Sequence, residues 1–135
     1  MIELNQIYTH EFMFSQEDVL RFADVTGDNN PIHLDALYAA NTMFKKPIMH
    51  GFLGGSIFSK VFGTLFPGEG SVYLKQSMEF LRPMLVDVPY EAVFTVVDIE
   101  KGKNRALIKT EIIDKTTKKA CIKGEALIMH KGKII

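Results

Sequence analysis

The segment "VTGDNNPIHLDALYAA", residues 25–40, sets an acid, an amide, a proline and an imidazole within six consecutive positions, Asp28 to His33. A carboxylate and an imidazole that converge on one water can divide its protons: one group removes a proton while the other holds or returns one. Pro31 fixes the backbone between Asp28 and His33, and Asn30 adds a third polar group on the same bend. The bland alternative is that Asp28 caps a turn and His33 lines a pocket edge, but "GDNNPIH" taken whole favours an acid–base pair. A metal site from Asp28, His33, Asp35 and His50 is the competing use. The chain has neither the HExxH spacing nor a CxxC pair that would favour it, so no metal is expected.

A second constellation is "PIMHG", residues 47–51, directly before a long apolar run. The first amides of a helix lack partners within it, and the helix dipole adds positive potential there. The amide of Gly51 is therefore placed to hold a developing oxyanion, with no side chain to block the approach. Read plainly, Gly51 only permits a tight turn into the helix and His50 is its cap. Gly51, Gly55 and Ser59 recur at every fourth position and so share one stripe of the helix. Such a stripe leaves room for a partner backbone or an acyl chain, and Ser59 either bonds into the site or back to its own helix.

The elements that must position these residues follow from periodicity. "HEFMF" (10–14) reads as a short strand. "SQEDVLRFADVTG" reads as a helix with Ser15 as N-cap, acids in the first turn and Gly27 as its left-handed stop. Pro31 pushes Asn30 toward an extended backbone, so that helix cannot continue, and Asp35 caps a short helix over 36–41. From His50 to Leu65 the chain is apolar nearly all round, the pattern of a helix buried on most sides and about 24 Å long. Four segments rich in β-branched residues follow, beginning "SVYLKQSMEFL", and the turns "KGKN" and "DKTTKK" suit antiparallel hairpins. In the last strand Ala120, Ile122, Gly124, Ala126 and Ile128 share one face, opposite Lys119, Lys123 and Glu125, so one face of the sheet is buried. One buried helix against one antiparallel sheet is a two-layer α+β plan in a single domain, residues 1–135.

Composition sets the limits. Sixteen basic and sixteen acidic side chains cancel, so no net field draws nucleic acid or an anionic membrane. Lys115, Lys118, Lys119, Lys123, Lys131 and Lys133 gather near the C-terminus and read as a solvated face. The single cysteine, Cys121, sits between Ala120 and Ile122 and reads as a structural thiol of a reducing compartment. "MIELNQ" has no basic region before an apolar run, so no secretory signal is expected, and the apolar stretch from Phe52 to Phe66 is too broken to span a bilayer. Gln76 shares its strand face with apolar neighbours and should find a structural hydrogen bond. Phosphate loops, dinucleotide fingerprints and G-x-S-x-G elbows are absent.

"FADVTGDNNPIHLDALYA" resembles the hydratase motif of the R-specific enoyl-CoA hydratases, the small MaoC-like dehydratases. "KKPIMHGFLGGSIFSKVFG" and "GSVYLKQSMEFLRPMLVDVPYEA" resemble the family's next two segments, and the likeness runs over roughly residues 12 to 130 in order and spacing. The resemblance implies a hot-dog fold, a sheet wrapped round a long central helix, as a homodimer or higher homo-oligomer with sites at the interface. It implies syn addition of water to a trans-2-enoyl-CoA, or the reverse dehydration, in the cytoplasm and without metal or redox cofactor. On the family pattern Asp28 and His33 are the catalytic pair, the Gly51 amide meets the thioester carbonyl, and Asn30 and Ser59 are supporting positions. The turn "VDVPYE" departs from the family, which commonly has Gly-Asp where this chain has Val86 and Asp87. The rival expectations are a thioesterase on the same fold, against which the helix offers Ser56, Ser59 and Lys60 but no acid, and an acyl-CoA-binding module without catalysis.

Overall fold

The computed structural model describes residues 1–135. Strand β1 (Ile7–Phe12) leads to helices α1 (Gln16–Thr26), α2 (Pro31–Leu34), α3 (Ala36–Ala40) and α4 (Gly51–Thr64). Strands β2 (Val72–Gln76), β3 (Glu79–Phe80), β4 (Tyr90–Glu100), β5 (Arg105–Asp114) and β6 (Ala120–Met129) complete the chain. They form one antiparallel sheet in the order β1-β4-β5-β6-β2, with β3 paired to β6 beside β2.

The sheet buries one face against α4, as the alternation requires. Tyr90, Ala92, Phe94 and Val96 of β4 point inward, with Ala106, Ile108 and Ile112 of β5 and Ile122, Ala126 and Ile128 of β6. Helix α4 meets them with Leu53, Ile57, Phe58, Val61 and Phe62. Phe58 and Phe62 both pack edge-on to Phe94, with ring centroids 5.8 and 5.2 Å apart. Cys121 lies inside this core, and burial pushes its thiol up from the ordinary value. The chain has no helix long and apolar enough to cross a membrane.

Local chemistry explains most boundaries. Ser15 and Asp18 form a reciprocal capping box at the start of α1, and Gly27 ends it at φ 78°. Asp35 caps α3 through the amides of Leu37 and Tyr38. The 101–104 turn closes with Asn104 in the left-handed region at φ 54°.

Three expectations need correction. The first strand runs Ile7–Phe12 rather than 10–14, because Tyr8 and Phe12 alternate inward and Tyr8 stacks on Phe66. Phe14 instead leads into the α1 cap. "SVYLKQSMEFL" is two strands rather than one: the backbone of Ser77 crosses close over Gly124 of β6 and breaks the ladder between Gln76 and Glu79. Helix α4 is buried on one side only; Phe52, Ser56, Ser59 and Lys60 are exposed, since the chain has a single sheet to cover it.

Candidate active site

The segment after Gly27 turns on local bonds. The Thr26 hydroxyl accepts from the Asp28 amide, and the Asn30 side chain accepts from the Ile32 amide as N-cap of α2. Asn30 has φ −53° and ψ 124°, the extended backbone that a following proline imposes. With α1 already stopped at Gly27, Pro31 opens a new helical turn, α2, the turn that carries His33.

His33 is held from two sides. Its Nδ1–H donates to the Ile48 carbonyl at 2.8 Å, the only role open to a nitrogen facing a carbonyl, which leaves Nε2 free as a base. Gln16 of α1 donates to the His33 carbonyl at 3.0 Å. Asp28 is exposed, and its carboxylate makes only a long 3.5 Å contact with the Asn30 amide. A carboxylate oxygen of Asp28 and ring nitrogens of His33 and His50 all lie within 4.8 Å of one another. A water accepting or donating two ordinary hydrogen bonds spans about 4.6 Å between its partners, so Asp28 and His33 are close enough to share one water.

His50 belongs to the same cluster. It is N-terminal to α4 but makes no side-chain cap there. Instead it is buried, its ring 3.9 Å from that of His33 at 31° and 4.7 Å from that of Phe22. Its Nε2–H donates to the Asp28 carbonyl at 2.9 Å, while its buried Nδ1 has no partner. One signal was present in the sequence: a polar ring flanked by "PIM" and "GFL" is destined for burial and must find a partner. Asp35, grouped with these residues as a possible metal ligand, is not with them; its carboxylate is spent on α3.

Gly51 heads α4, and a Cβ there would lie 2.6 Å from the Phe80 ring, so only glycine lets that ring rest on the helix start. Gly51 and His33 share the wall of a cavity of about 550 Å³, otherwise mainly apolar, with Met43, Met49 and Met84 in its lining. Phe52 and Phe80 stack across one side at 5.9 Å. Phe58 is in the core. The small-residue stripe is filled from within the chain: Phe80 covers Gly51 and Met78 covers Gly55. Ser59 is exposed, about 12 Å further along α4 than Gly51, and does not line this cavity. Gln76 does find its structural bonds, donating to Thr110 at 2.9 Å and accepting from Tyr73, whose phenol burial pushes up to about 12.

The profile of the MaoC-like domain matches residues 3–119 of this sequence. Over 115 residues the chain is 38% identical to the (R)-specific enoyl-CoA hydratase of Aeromonas caviae, covering 85% of each chain. It is 35% identical over 115 residues to the hydratase of the same name from Rhodospirillum rubrum, covering 85% of this chain and 78% of that one. The solved (R)-hydratase from A. caviae, described as involved in PHA biosynthesis, superposes with a TM-score of 0.91 at 35% identity, over 96% of this chain and 97% of that one. An unliganded R-hydratase from Pseudomonas aeruginosa superposes at 0.89 and 36% identity, over 96% of this chain and 82% of the other. One sheet on one central helix, the bend carrying Asp28 and His33, and these likenesses agree: the fold is the hot-dog, and the chain belongs to the MaoC-like family.

Proposed function

We propose that this chain is a hydro-lyase that adds water, reversibly and syn, to a trans-2-enoyl-CoA to give the (R)-3-hydroxyacyl-CoA. The observation that carries the reading is a carboxylate and an imidazole within 4.8 Å of each other, close enough to share a water, with His33 and Gly51 in the wall of one cavity. The likeness to (R)-specific hydratases supplies the sense of the new stereocentre.

The chemistry follows from the substrate class. Conjugation with the thioester carbonyl leaves C3 electron-poor. As the water oxygen bonds to C3, charge moves onto the carbonyl oxygen, where the Gly51 amide at the positive end of α4 stabilises it. Asp28 and His33 take one proton from the water and return one to C2, where the former π electrons form the C–H bond. Both additions come from the side that faces the pair, so the addition is syn. Water is added whole and no electrons are exchanged, so on this reading neither a metal nor a redox cofactor takes part. Three donor atoms within 4.8 Å would also suit a metal ion. One ring nitrogen of each imidazole is, however, already committed to a main-chain carbonyl, His33 to Ile48 and His50 to Asp28, which favours acid–base use.

An acyl-CoA is the partner on this reading, and nucleic acid and membrane are not. Lys45, Lys46 and Arg82 stand at or beside the cavity lining and are candidates for the CoA phosphates, although the Arg82 guanidinium already donates to the Ala120 carbonyl. A homodimer or higher homo-oligomer in the cytoplasm belongs to the same proposal, and Ser59, exposed on the uncovered side of α4, would then serve across the interface.

The test is direct. Purified protein mixed with crotonyl-CoA is expected to remove the enoyl thioester absorbance and yield (R)-3-hydroxybutyryl-CoA. Release of free thiol instead would make it a thioesterase, and binding without turnover an acyl-CoA-binding module; either would overturn the hydratase reading.

A further inference from the structure

We infer that His50 is a positioning residue for the reaction: its Nε2–H bond to the Asp28 carbonyl fixes the acid relative to the start of α4 and to His33. The inference rests on the hydration reading for its kinetic consequence, but not for the tether itself.

Residues 27–30 are exposed and otherwise bonded only to their own neighbourhood. The Gly27 amide donates to Ala23, the Asp28 amide to Thr26, the Asn29 amide to Gly27 and the Asn30 side chain accepts from Ile32. The one hydrogen bond that ties this segment to a distant element is His50 Nε2–H to the Asp28 carbonyl, across 22 positions. It lands on the main chain of the very residue whose carboxylate is to meet the water. His50 is also the residue next to Gly51, so one side chain locks together the acid and the amide that would receive the developing oxyanion.

The rest of its environment fits that task. His50 is 2% exposed and packs against the His33 and Phe22 rings, so its imidazole is enclosed. Its other nitrogen, Nδ1, is buried without a partner. A leucine or phenylalanine would fill the same apolar space without that unpaired atom. The imidazole is therefore explained by what Nε2 does and not by packing. The His33 ring lies against the same surface while its Nδ1 is held by Ile48, two residues before His50. Acid, base and helix start are all referred to the one stretch 48–51. Misplacing a reacting group by an ångström is enough to lose on the order of 10²-fold in rate.

The experiment compares His50→Leu, His50→Asn and His50→Gln with the unchanged protein in crotonyl-CoA hydration, with thermal midpoints for each. A glutamine amide nitrogen reaches about as far as Nε2; an asparagine amide stops near Nδ1. Leu and Asn are expected to lower kcat by about 10–100-fold with KM changed by no more than about three-fold, and Gln to recover most of the loss. If the Leu variant does not fold, the Asn and Gln pair decides. Wild-type kcat in the Leu or Asn variant, a change confined to KM, or a Gln variant no better than Asn would each overturn the inference. NMR amide order parameters read the tether without the reaction: Leu and Asn should lower those of Asp28–Asn30 and Gln should not. If the unchanged protein hydrates nothing, the hydratase reading falls, while the order parameters still decide whether His50 holds the loop; unchanged values there would overturn the tether.

Discussion

The exposed bend at 27–30 and the buried layer between α4 and the sheet are opposites in construction. The bend holds its shape with short-range bonds and one long-range hydrogen bond. The layer holds its shape with 22 buried apolar residues that contact one another continuously. On the proposed function, chemistry sits on the first and stability on the second, joined at residues 48–51. Substitutions should therefore separate cleanly into those that stop the reaction and those that unfold the chain.

Asp28→Asn should break the reaction most. Hydration of crotonyl-CoA should fall by about 10²–10⁴-fold. Stability should change by less than about 0.5 kcal/mol, because the side chain is exposed and weakly bonded. Retained activity by the absorbance assay would remove the acid from the site. Phe58→Ala should do the converse. Phe58 is fully buried against Phe94, and its loss should cost about 3–5 kcal/mol in urea unfolding, while the folded fraction keeps its turnover. A large loss of turnover per folded molecule would blur the separation.

Gly124→Ala probes where the layer meets an edge of the sheet. A Cβ there would fall 1.8 Å from the Ser77 carbonyl, a backbone atom that has to move, so about 1–3 kcal/mol of stability should be lost in the same unfolding measurement. No loss would mean that the crossing of Ser77 is slack. Asp87→Gly should have the smallest effect. Asp87 holds φ 60° in the turn after Val86, and glycine should gain about 0.5 kcal/mol there by relieving the Cβ. A loss greater than about 1 kcal/mol would assign the carboxylate a role of its own.

What was legible in the sequence was whatever local chemistry decides. The α1 cap at Ser15, its stop at Gly27, the α3 cap at Asp35 and the two hairpins are each written within a few residues, and they stand where the pattern puts them. The inward alternation of β6 was readable for the same reason. The misreadings arose where a distant backbone decides. Nothing near Ser77 announces that Gly124 will let it cross, and nothing in β1 announces that Tyr8 will stack on Phe66. In the site, Asp28 and His33 were readable because five positions and a proline hold them together. His50 was not, because its partner lies 22 positions away and its ring had a plausible local use as a cap that it does not perform.

Thioether side chains in the cavity lining carry a consequence of their own. Met43, Met49 and Met84 are unbranched and polarisable, so the surface they form yields to the outline of what enters instead of imposing one. The same softness is a liability at the rim. Met43 is 85% exposed, and peroxide would turn it into a polar sulfoxide, hardening an accessible lip of an otherwise greasy opening.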